Sequence, residues 1–131
     1  MTRFVVDVGA VLHLVGEGID VADEHELLAP TLLRSQALAE LHEAVLRGEL
    51  PATVALERLS AIRRLGIRLL GDAVLQRRAW ELADELGWAE TYTAEYLALT
   101  QLQADAFVTT DVELARSVEG VVEVASIDAL R

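Results

Sequence analysis

Phe4-Val5-Val6-Asp7-Val8 is a short apolar run with one carboxylate inside it. Phe and Val favour a strand, and a continuous apolar run bounded by turn formers reads as a strand covered on both faces. An aspartate in such a run is costly to bury unless something binds it. Its expected place is therefore the C-terminal end of the strand, beside a crevice. Ala106-Phe107-Val108-Thr109-Thr110-Asp111 repeats the arrangement, an apolar run closed by an aspartate. In a parallel sheet the C-terminal strand ends share one edge, and open α/β sheets bind ligands there. Asp7 and Asp111 are thus expected to face a common site.

Outward from these two runs, strand and helix patterns alternate. Leu27-Leu28-Ala29 predicts a brief second strand before Pro30. From Thr31 to Arg47 the pattern is helical, with Ala37, Leu41, Ala44 and Val45 on an apolar face and Gln36, Glu40, Glu43 and Arg47 on a polar stripe. Gly48 fits a C-cap, and Pro51 suits the opening of a helix that Gly66 stops near Leu65. Ile67 to Leu70 predicts a short strand, and Gly71 leads into a helix ending at Gly87. Thr91 is the expected N-cap of a helix from Tyr92 to about Leu102. Thr110 and Glu113 have the spacing of a capping box, which places Asp111 in the first turn of a helix closed by Gly120. Val121 to Ala125 reads as a last strand. Alternating strands and helices imply a three-layer α/β/α fold around a parallel sheet of four or five strands. Residues 1–131 read as one domain, without repeats or linkers.

Composition narrows the function. A hydrophobic share of 53% excludes disorder, and no apolar run is long enough to span a membrane. The absence of cysteine excludes disulfides and thiolate metal sites. Arg3 is not followed by a leader-like apolar stretch, so a soluble cytoplasmic protein is expected. A net charge of -11 argues against nucleic-acid binding through a generally basic surface. All eleven basic residues are arginine, however, and Arg58, Arg63, Arg64, Arg68, Arg77 and Arg78 fall together with only Asp72 among them. That group suits phosphate, and equally a solvated helical face.

The ordered set of Phe4-Val5-Val6-Asp7, Pro30 with the helix bearing Gln36, Tyr92-Thr93-Ala94-Glu95-Tyr96-Leu97-Ala98-Leu99, and Val108-Thr109-Thr110-Asp111 resembles the PIN-domain family. The VapC-type branch, the toxin ribonucleases of toxin–antitoxin pairs, is the nearest likeness, and it extends over the whole chain. The resemblance implies acids at the C-terminal edge of the sheet that hold Mg²⁺ or Mn²⁺, which activates water to cleave a phosphodiester of RNA. It also implies an antitoxin-like protein partner and a homodimer.

Of the four acids that the resemblance implies, two are present, Asp7 and Asp111. The other two positions are Gln36 and Thr93, and Gly9 replaces a small hydroxyl residue. A Gln carbonyl or Thr hydroxyl can ligate a metal or hold its water without adding charge. Glu40, one turn beyond Gln36, and Glu90, three residues before Thr93, are candidate substitutes. Glu95 lies about 200° round the helix axis from Thr93, which disfavours it. Arg63, Arg64 and Arg68 are the candidate RNA-contacting residues. Each choice has a structural counterpart. A carboxylate within a strand has few structural uses, whereas a first-turn acid such as Asp111 stabilises a helix by about 0.3–1 kcal/mol without any further role. Asp105 suits loop capping. His13, His25 and His42 share no ligand spacing. Trp80, Trp88, Tyr92 and Tyr96 suit core packing. An alternative function is a catalytically silent PIN domain that binds a protein or RNA.

Overall fold

The computed structural model describes residues 1–131. Its sheet has five parallel strands in the order β3-β2-β1-β4-β5. The strands are β1 (Thr2–Val6), β2 (His25–Pro30), β3 (Arg68–Leu70), β4 (Ala106–Val108) and β5 (Val124–Ala125). The helices are α1 (Val8–Glu17), α2 (Leu32–Leu46), α3 (Ala52–Arg64), α4 (Ala73–Leu86), α5 (Tyr92–Gln103) and α6 (Val112–Ser117), with a 3-10 turn at Ile127–Leu130. This is the α/β/α arrangement that the alternating pattern implies.

β1 lies at the centre because its apolar run can be covered on both faces. Val5 and Val6 are fully buried, as are Leu28 of β2 and Phe107 and Val108 of β4. Phe4 pairs with Leu27 on one side and Ala106 on the other, and Val6 pairs with Val108. α5 packs on β1, β2 and β4 through Ala94, Leu97 and Ala98, which leave almost no surface exposed. α4 lies against α5 with Leu75, Ala79, Leu82 and Ala83 buried. α1, α2 and α3 form the other helical group. One continuous core joins these layers, so the two central strand ends are held rigidly side by side.

Several local expectations shift. Asp7 is the N-cap of α1 and accepts from Ala10 N–H at 2.8 Å, so its carboxylate does have a structural use. Asp111, not Thr110, caps α6 and accepts from Leu114 N–H at 3.0 Å; the anticipated capping box does not form. β4 stops at Val108, short of Thr110, where its pairing with both β1 and β5 ends. Likewise α6 ends at Ser117, short of Gly120. Thr91 makes no side-chain cap bond. Glu90 serves instead, accepting from Tyr92 N–H at 3.1 Å and Thr93 N–H at 3.4 Å. Trp80 and Tyr92 are mostly exposed rather than in the core, whereas Tyr96 is buried and Trp88 packs at its margin. No helix is long and apolar enough to cross a membrane.

Candidate functional site

The site begins where β1 and β4 end. Because these strands are parallel neighbours in register at Val6 and Val108, the residues that follow them emerge at one edge. Asp7 N–H donates to Val108 O at 3.3 Å, which ties the two exits together. Both chains then turn into helices, and at each turn an aspartate becomes the N-cap. The Thr109 hydroxyl accepts from Asp111 N–H at 3.1 Å and lies against the Asp7 carboxyl. The sequence reading missed Thr109; the available signal was its position two residues before Asp111, where a hydroxyl readily closes a turn.

Burial, first of all, holds the Asp7 carboxyl above its ordinary value. The Thr109 hydroxyl and Ala10 N–H oppose that rise, and the charge of Asp111 adds to it. Every ion pair in the chain joins other acids, so no arginine neutralises Asp7 or Asp111. Asp7 is thus a half-buried carboxylate beside a second carboxylate, without a counter-ion. Gly9 stands next to them. A Cβ there would meet Thr110 Oγ1 at 3.1 Å and Asp7 Oδ1 at 3.7 Å, so its missing side chain leaves the approach to Asp7 open.

Gln36 reaches the same edge from α2, the helix after β2. The Tyr96 hydroxyl of α5 donates to Gln36 Oε1 at 2.6 Å. Burial pushes the Tyr96 phenol well up, and the charges of Asp7, Glu95 and Glu40 push it further. Glu40 is exposed on α2, one turn beyond Gln36. Partial burial also raises Glu40, helped by the charges of Glu43 and Asp7 and opposed by Arg47. Thr93 is one turn before Tyr96 on α5, hence on the same side of that helix. Tyr96 was read only as a packing residue, although its spacing from Thr93 gives it a place at the site.

The two substitutes differ. Glu40 feels Asp7, while the Glu90 carboxylate is engaged at the start of α5. No three acidic or histidine side chains converge closely enough to form a metal cage. A hard divalent ion at this edge would have Asp7 and Asp111 as its protein carboxylates and would need water for the remaining positions. The donor set does not fit an ion enclosed by protein.

The arginines lie elsewhere. Arg64 pairs with Glu57 at 2.8 Å, and Arg68 pairs with Glu26 at 3.4 Å. Arg63 donates to Ser60 Oγ at 3.1 Å and lines a groove of ≈ 670 Å³ with Arg34, Leu38, Leu59 and Ile62. That groove contains neither aspartate nor Gln36. Of the histidines, His25 packs edge-on against Phe4, and Asp105 accepts from Arg3 N–H at 2.8 Å.

No family model matches the sequence, and no curated protein matches it significantly. Among solved structures, the chain is similar to PAE2754 from Pyrobaculum aerophilum, with a TM-score of 0.76 and 20% identity over 98% of this chain and 93% of that one. It is also similar to VapBC-1 from nontypeable Haemophilus influenzae, with a TM-score of 0.62 and 11% identity over 96% and 98% of the two chains. The chain shares the fold of both, which is the PIN-like architecture that the sequence resemblance implies.

Proposed function

We propose that this chain is a VapC-type PIN-domain protein, a metal-dependent endoribonuclease with a partly neutralised acidic site and the toxin member of a toxin–antitoxin pair. One observation supports the reading: Asp7 and Asp111 cap two helices at adjacent strand ends, and no arginine pairs with either. A pair so placed would hold Mg²⁺ or Mn²⁺, which when bound supplies a hydroxide at neutral pH and stabilises the departing oxygen. Asp7, the more buried, is fixed from below by Ala10 N–H and Thr109, so its direction is set before any ligand arrives. Asp111, the N-cap of α6, is exposed, so its carboxylate would be open to an RNA arriving from solvent. Arg63 has no acidic partner and remains available for phosphate; Arg64 and Arg68 must exchange an existing partner to take part. The reading includes an antitoxin-like protein partner, a homodimer and a cytoplasmic site of action. Exposed Leu38, Leu46 and Leu56 on α2 and α3 provide apolar surface for such contacts.

The test is cleavage of single-stranded RNA by purified protein over a range of Mn²⁺ or Mg²⁺ concentrations. Wild type nicks the RNA and Asp7→Asn does not; equal survival of the RNA with both proteins refutes the enzymatic reading. A second reading, a silent PIN domain that binds a protein or RNA, draws on the absence of a three-acid cluster and the neutral side chains of Gln36 and Thr93. Restoring both acids separates the two. Activity that appears only in the Gln36→Glu, Thr93→Asp double variant supports the silent reading, and activity already present in wild type removes it.

A further inference from the structure

Gln36 stands where the resemblance implies an acid, and its hydrogen bonding shows what the exchange has done. The Tyr96 phenol is buried, and Gln36 is its single hydrogen-bond partner. The phenol O–H donates, and the atom it meets is the amide oxygen, at 2.6 Å. The planar amide then turns its NH₂ away from the phenol. That nitrogen has no acceptor in the protein, and it is not sealed off from solvent, since His25 Nδ1 is the sole buried polar side-chain atom left without a partner.

We infer that Gln36, oriented by Tyr96, presents its NH₂ as a hydrogen-bond donor to a non-bridging phosphate oxygen of the RNA, and that it is not a metal ligand. The inference rests on the ribonuclease reading and deepens it. A phosphodiester brought to Asp7 and Asp111 meets two like charges, and each neutral donor at the rim offsets part of that repulsion. A glutamate at position 36 could not donate in its ionised form. The amide therefore exchanges affinity for a cation against affinity for an anion. Tyr96 acts as a positioning residue: it touches neither metal nor RNA and decides which end of the amide faces out.

The experiment measures Mn²⁺ affinity by electron paramagnetic resonance and affinity for a fluorescent single-stranded RNA by anisotropy, the latter in EDTA so that cleavage is blocked. Gln36→Leu is expected to weaken RNA binding about tenfold, the loss of one hydrogen bond to a charged group. Its Mn²⁺ affinity stays within about twofold of wild type. Gln36→Glu is expected to gain about tenfold or more in Mn²⁺ affinity and to lose RNA affinity in EDTA. Tyr96→Phe weakens RNA binding with Mn²⁺ affinity unchanged, and adding the RNA to ¹⁵N-labelled wild type shifts the Gln36 side-chain amide resonance. RNA affinity unchanged in Gln36→Leu, or Mn²⁺ affinity lost in that variant, overturns this inference and leaves the ribonuclease reading intact. A wild type that binds no RNA in EDTA overturns this inference, and one that also cleaves none with Mn²⁺ overturns both.

Discussion

Replacing Asp7 by Asn or by Ala separates two roles held by one side chain. Asp7 caps α1 through Ala10 N–H at 2.8 Å, and its charge is disfavoured by burial and by Asp111. Asn keeps the capping oxygen and removes the charge, whereas Ala removes both. Loss of the cap costs about 1 kcal/mol, which for a chain of 131 residues lowers the unfolding midpoint by roughly 3–4 °C. In calorimetry at pH 7 with EDTA, Asp7→Asn is expected to unfold at or above the wild-type temperature, and Asp7→Ala that interval below Asp7→Asn. Both variants lose RNA cleavage. Adding Mn²⁺ raises the midpoint of wild type only, because an ion bound by the folded state stabilises it. An Asp7→Asn protein that melts as early as Asp7→Ala would show that neither the cap nor the unpaired charge matters as argued.

Other perturbations follow from the same geometry. Because the folded Asp7 holds its proton more tightly than the unfolded chain does, its contribution to stability is complete below the ordinary value of 3.8 and is lost as pH rises through the raised one. Wild type should therefore gain on Asp7→Asn as pH falls through that window, and urea titrations of both proteins at several pH values measure the difference. Phe107 is fully buried at the centre of β4, and Phe107→Ala is expected to cost about 3–5 kcal/mol by urea unfolding. Gly9→Ser puts a Cβ 3.1 Å from Thr110 Oγ1, but Thr110 is exposed and its side chain can swing aside. Its effect should stay under about 1 kcal/mol in the same assay.

The central strands were legible because their apolar runs leave little freedom of interpretation. Val5, Val6, Phe107 and Val108 read as doubly covered strands and are fully buried. The topology then brings Asp7 and Asp111 to one edge with no further information. The edge strands were harder to bound, since β5 is half-buried and held by register with β4 rather than by its own pattern. The caps at Asp7 and Asp111 were hidden because each aspartate belongs at once to a strand end and to a helix start. Tyr96 and Thr109 escaped notice for another reason. A tyrosine on a buried helix face and a threonine in a strand are ordinary packing residues until a partner from a distant segment appears, and Gln36 lies 60 residues from Tyr96. The arginine group shows the reverse: of six neighbours in sequence, Arg64, Arg68 and Arg78 are drawn in space to Glu57, Glu26, Glu81 and Glu85.

The pairing of β1 with β4 also has a consequence for synthesis. The first strand to leave the ribosome must wait for almost the last one before its inner flank is covered, because Val6 meets Val108 across the sheet. Until then Asp7 has no opposing aspartate. A nascent or prematurely terminated polypeptide thus carries the first of the two carboxylates at this sheet edge without the second.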